Sequence, residues 1–159
     1  MTLEEADLAD LRLPARSFDY VICHGVFSWV PPAVQAAILG LIGHCLSDSG
    51  VAAVSYNVLP GWHLRNPVKD ILRFYAQTDG SAQERVARAR AALAALEAYT
   101  GPGAYGALLR TEARQLAKIP SSYILGEFLA EHNQPIQFLD FLSAAAEHGL
   151  DFIGCLLYT

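Results

Sequence analysis

The sequence predicts an α/β fold of about three strands, with one parallel strand–helix–strand unit and a largely helical region inserted before the last strand. Two short apolar runs, "FDYVIC" and "VAAVSYN", flank a segment whose apolar residues recur at helical spacing. Between residues 64 and 134 helix-start and helix-stop signals follow one another. The late run "LDFIGCLL" then reads as a strand again. The chain accordingly divides at residues 1–63, 64–134 and 135–159.

Each element has a local reason. Phe18–Cys23 is short, apolar and β-rich, as a buried parallel strand should be. Pro31 and Pro32 suit a first helical turn, where a missing N–H costs nothing. Val34, Ala37, Ile38, Leu41, Ile42 and Cys45 then line one helix face. Ser47–Gly50 stops that helix, and Val51–Asn57 forms the second strand. Asn66 reads as an N-cap with Pro67 at the first helical position, ahead of Val68, Ile71, Leu72 and Tyr75. Ser81 to Glu84 fits a capping box, so a helix runs from Ala82 to about Tyr99. Residues 100–103, "TGPG", break it, and Tyr105 to Leu116 carry the next apolar face. Pro120 and Pro135 bracket a shorter helix; Phe138 to His148 form another, closed by Gly149.

Composition excludes several classes. Of 159 residues, 53% are hydrophobic and 17% charged, which is too apolar for a disordered chain. A net charge of −5 argues against a nucleic-acid surface. The arginines from Arg85 to Arg90 read as a solvated helix face. Cys23, Cys45 and Cys155 are odd in number and widely spaced, which fits reduced thiols in a cytoplasmic protein. No apolar stretch reaches the length of a membrane span, and the acidic start lacks the order of a signal peptide. The histidines show no metal-ligand spacing.

Ligands of open α/β sheets bind beyond the carboxyl ends of the strands. "CHGVFSWVP" and "YNVLPGWH" stand in that place, and each holds a glycine and a tryptophan. Such loops fit the wall of a pocket for a planar or cationic group. Alternatively, Phe27, Trp29 and Trp62 seal the top of the core.

The stretch "ADLADLRLPARSFDYVICHGVFSWVPP" resembles the middle of a class I S-adenosylmethionine-dependent methyltransferase. "HGVFSWVP", "SYNVLPGWHLR" and "FLAEHNQPIQFLDFLSAAAEHGLDFI" are similar to bacterial methyltransferases that carry a methyltransferase regulatory domain. The resemblance implies a partial Rossmann-like sheet with a helical insertion or regulatory region, and S-adenosylmethionine as cofactor. Asp7 stands before the "FD" strand opening where the family keeps the acid that faces the adenine amino group; Asp10 fits less well. The N–H of Leu8 would meet the neighbouring ring nitrogen. His24 and Gly25 would lie along the methionine side, and Phe27 and Trp29 beside the sulfonium. Asn57, Gly61, Trp62 and His63 would face an acceptor whose identity the sequence leaves open. Asp7 also reads as a solvated turn acid, His24 as a strand-end histidine, and His63 as a loop cap.

The family's glycine-rich turn and ribose-binding acid should precede Asp7, yet only six residues do. The expectation is therefore a fragment with impaired cofactor binding, inactive in isolation, with no catalytic side chain assigned. An apolar strand left at a sheet edge should drive self-association. The competing expectation is a non-catalytic helical module that docks a partner protein.

Overall fold

The β-rich run at the first predicted strand forms β1 (Phe18–Cys23). Helix α1 (Pro32–Cys45) follows, with Pro31 at its cap and Pro32 in its first turn. Strand β2 (Leu46–Val54) pairs with β1 in parallel, so the strand–helix–strand unit is present. This computed structural model describes residues 3, 5–8, 10–77, 79–99 and 101–156. They fall into two compact units, Met1–Leu59 with Gln134–Thr159, and Pro60–Asn133.

In the first unit, the sequence puts a helix stop at Ser47–Gly50, whereas β2 already begins at Leu46. The register explains the difference. Phe18 faces Leu46 but Tyr20 faces Val51, so residues 47–50 bulge out of the ladder. The Ser47 hydroxyl donates to Asp19 Oδ1 at 2.7 Å, and Arg16 pairs with Asp48 at 2.5 Å. A Cβ at Gly50 would stand 2.8 Å from the Leu46 side chain and 3.0 Å from the Phe18 carbonyl, so the bulge needs glycine there.

A second parallel pair joins β3 (Val58–Leu59) to β4 (Ile136–Gln137), and helix α6 (Phe138–Ala146) follows directly. The expectation of about three strands in one sheet is therefore corrected to two sheets of two strands among the described residues. The predicted strand at "LDFIGCLL" is absent over residues 150–156, and Leu157 lies outside the described residues. A strand needs a backbone partner, and among the described residues none pairs there. Phe152 instead packs edge-on against Phe138, with ring centroids 5.2 Å apart. The core gathers Phe27, Ile38, Leu39 and Ile42 with Val21, Ala52, Val54 and Phe141. A Cβ on Gly43 would collide with the His148 carbonyl, so α1 approaches the chain after α6 only through glycine.

The second unit is helical. After a 3₁₀ turn at Gly61–Leu64 come α2 (Asn66–Ala76), α3 (Ala82–Ala98) and α4 (Gly103–Leu116). A short α5 (Ser121–Tyr123) runs into a π turn at Ile124–Phe128. Val68, Leu72, Ala89, Leu93, Ala113, Ile124 and Phe128 form its core. Asn66 is not the cap of α2: it lies within the helix, and Arg65 holds the cap position without a side-chain bond. The arginines also differ from expectation. Arg88 donates to the Ala76 carbonyl and Arg85 to those of Gln77 and Leu129. Arg90 reaches the Ala117 and Ile119 carbonyls. Carbonyls at helix ends lack intrahelical donors, and guanidinium groups supply several from one side chain. The half-buried arginine row joins helices rather than facing water.

The capping box on α3 forms as predicted. The Ser81 hydroxyl accepts the Glu84 N–H at 3.3 Å, and Glu84 Oε2 accepts the Ser81 N–H at 2.7 Å. Glu84 Oε2 also accepts the Ser81 hydroxyl proton at 2.9 Å, and the two bonds to the carboxylate, the backbone one first, hold it below its ordinary range. A carboxylate so lowered stabilises the fold above its unfolded pKa and loses that contribution as pH falls through the folded value. Ser81→Ala should remove about 1 kcal/mol near neutral pH. The gap from wild type should narrow in acid, as thermal melts followed by circular dichroism would show.

Candidate functional site

Parallel pairing puts the carboxyl ends of β1 and β2 side by side. The segments leaving them are held together by small hydroxyls. The Gly25 N–H donates to Ser55 Oγ at 2.9 Å, and the Ser55 N–H donates to the Cys23 carbonyl at 3.0 Å. The Asn57 N–H donates to Ser28 Oγ at 2.8 Å. His24, Gly25, Phe27, Trp29 and Asn57 thus share one end of the first unit.

Their environments differ. His24 and Gly25 are exposed. Gly25 has φ +70, and no atom lies within 4 Å of where its Cβ would stand. Glycine is therefore required by conformation and leaves the backbone open to a ligand. Phe27 is buried, packed edge-on against Phe141 at 5.5 Å and beside Tyr56 at 6.2 Å. It anchors the loop from beneath, as the core-sealing alternative has it. Trp29 is half-buried in the 3₁₀ turn Phe27–Trp29, its N–H donating to the Val26 carbonyl at 2.8 Å. Burial pushes the Cys23 thiol above its ordinary range, so it stays protonated and inert at neutral pH.

Asp7 is exposed in a turn whose N–H groups at Asp10 and Leu11 donate to its carbonyl. Leu8 packs against the core of the same unit. With Leu11, Arg12, Leu13, Ala37, Leu41 and His44 it lines a groove of about 310 Å³.

Gly61, Trp62 and His63 belong to the helical unit. Gly61 and His63 are exposed. The Trp62 ring is buried near Phe128 at 6.1 Å, with the Arg65 guanidinium and Lys69 ammonium 5.8 and 5.7 Å from its centroid. Its ring stabilises the turn by packing and cation–π attraction.

Sequence reasoning missed Ser28 and Ser55. Each hydroxyl follows a strand end and bonds a backbone N–H of the other segment. The only signal is a small hydroxyl residue in each post-strand loop. Gln35 was also missed; its side-chain amide donates to the Phe27 carbonyl at 2.8 Å. Among the described residues no group of His, Cys, Asp and Glu could hold a metal ion. No helix among them is long and apolar enough to cross a membrane.

Parallel strands ending in paired, glycine-bearing loops define a mixed α/β protein with a candidate ligand edge. Comparisons sharpen that class. No family model matches the chain. It is 33% identical over 158 residues to the uncharacterized protein RP028 of Rickettsia prowazekii (strain Madrid E), across 91% of this chain and 62% of that protein. It is similar to the solved structure of PKMT2 from Rickettsia typhi, with TM-score 0.77 and 32% identity, across 96% of this chain and 31% of that one. Against PKMT2 in complex with AdoHcy the TM-score is 0.76 and the identity 34%, across 89% and 28%. The chain spans less than two thirds of the length of each of these relatives.

Proposed function

We propose that this chain forms part of an S-adenosylmethionine-dependent methyltransferase, carrying the adenine-side turn and the loops after two neighbouring parallel strands. One observation carries the reading. Over nearly its whole length the chain is similar to PKMT2, one structure of which holds AdoHcy, the demethylated product of S-adenosylmethionine.

The residues fit such a ligand. The empty space beside Gly25 admits a ligand against the backbone. Asp7 offers an exposed carboxylate, which only accepts, toward an adenine amino group, with the Leu8 N–H for the adjacent ring nitrogen. His24 and Gly25 line the methionine side. Trp29 turns an aromatic face to the sulfonium, and Phe27 supports it from the core. In the first unit Asn57 faces the acceptor; within the helical unit Trp62 holds the turn that carries Gly61 and His63. S-adenosylmethionine supplies a methyl group on cationic sulfur that an acceptor lone pair can displace in line. The protein's part is positioning and a site matched to charge, so no nucleophilic side chain is needed.

The test is titration of S-adenosylhomocysteine into the purified chain, followed by thermal melting. Binding to the folded state raises the melting temperature once ligand exceeds its dissociation constant. Asp7→Ala should weaken the effect about tenfold, the equivalent of one lost charge-assisted hydrogen bond. A second reading, a non-catalytic helical interaction module, draws on the separate core of Pro60–Asn133. An unchanged melting temperature at saturating ligand, with helical circular dichroism retained, would favour it over the first.

A further inference from the structure

We propose that Ser28 is the positioning residue of the strand-end loop, tying the backbone that carries Trp29 to the segments on either side of the helical insertion. The inference rests on the reading that this loop lines the cofactor side. Ser28 is fully buried although polar, and it lies between Phe27 and Trp29. Both its oxygens are used. Its hydroxyl accepts the Asn57 N–H at 2.8 Å, and its carbonyl accepts the Gln134 N–H at 3.0 Å. The Asn57 carbonyl in turn accepts the Ile136 N–H at 2.9 Å. Loop, outgoing segment and returning segment therefore close a ring of hydrogen bonds within one unit, next to the β3–β4 pair.

Position in the chain gives this ring its meaning. Asn57 lies three residues before Pro60, where the helical unit begins, and Gln134 follows Asn133, where it ends. One side chain and its own carbonyl hold both crossings. On its other flank the loop is fixed by Gln35 on the Phe27 carbonyl. Trp29 is thus presented from a backbone bonded on both sides, and a small shift there would redirect its ring. Buried hydrogen-bond networks of this kind respond as units when one member is removed.

The test reads the ring without requiring ligand. Ser28→Ala should speed amide hydrogen exchange at Asn57, Gln134 and Ile136 about tenfold, while Val86 and Ala89 in α3 keep their rates. With Trp62→Phe as background, Trp29 emission should shift to the red. Ser28→Thr, which restores the acceptor oxygen, should reverse both changes. Wild-type exchange at Asn57, or Trp29 emission unmoved by Ser28→Ala, would overturn the proposal. Should the variant fail to fold, native-state exchange of the unaltered chain decides: Asn57 and Gln134 must open together with one free energy, and unrelated openings would refute the ring. Failure of S-adenosylhomocysteine to bind would remove the cofactor reading and leave this outcome legible.

Discussion

Lys69→Ala should cost about 3 kcal/mol of folding stability, in line with the breaking of a buried polar pair. Lys69 is 5% exposed on α2, and its ammonium donates to the Asn133 carbonyl. Asn133 is itself buried, and its side-chain amide donates to the Glu127 carbonyl at 2.5 Å. That carbonyl lies in the π turn Ile124–Phe128, where the usual helical donor is displaced. Alanine would remove the donor to Asn133, open a void beside Trp62 and withdraw a cation from the neighbourhood of buried Glu127. Lys69→Met keeps the stem and should cost about half as much, since only the polar terms are lost. Urea unfolding of the three proteins measures the difference.

The same lysine sets a pH dependence. Burial foremost, then the neighbouring Arg73 charge, lowers its pKa; Asp70 and Glu127 partly offset them. Between the folded value and the ordinary lysine value, the unfolded chain binds more protons than the folded one. Stability therefore rises with pH through that window, and the gain is lost as pH falls. Wild type should gain on Lys69→Met across the alkaline range, because a neutral amine still donates to Asn133 without the cost of a buried charge. A constant difference between the two would contradict the assignment.

Lys69 also marks where sequence reading stops. Local signals carried much of the first unit: Phe18–Cys23 formed its strand, though largely exposed rather than buried, the two prolines opened α1, and short connections made the parallel pair. The Ser81 box formed because all its partners lie within four residues. Apart from the Asn66 cap, which lies one position inside α2, what failed was mostly non-local. Nothing around Lys69 in the sequence points to its acceptor, since Asn133 stands 64 residues further along. Arg85, Arg88 and Arg90 look like a polar face until the ends of neighbouring helices take up their donors. Ser28 sits inside the quoted loop "HGVFSWVP", but its role is not legible there, because it depends on Asn57 and Gln134 arriving from opposite sides of a helical insertion. The strand expected at residues 150–156 failed for the converse reason: its composition is strand-like, but a ladder needs a neighbour.

The chain should self-associate, and Tyr20→Lys with Ile22→Lys should abolish it. Among the described residues β1 pairs with β2 alone, so its other edge carries unpaired backbone groups. Tyr20 and Ile22 are 78% and 76% exposed on that strand. A free edge flanked by exposed aromatic and branched side chains is a template for pairing with a second copy. Two lysines leave the β1–β2 ladder intact, because exposed substitutions usually cost within about 0.5 kcal/mol, while like charges on facing edges oppose pairing. Light scattering over roughly 1–100 μM should find the wild type at twice the monomer mass or more, and the double variant at monomer mass. A wild type that stays monomeric throughout would mean that this edge is shielded, and the variant's charge would then change nothing.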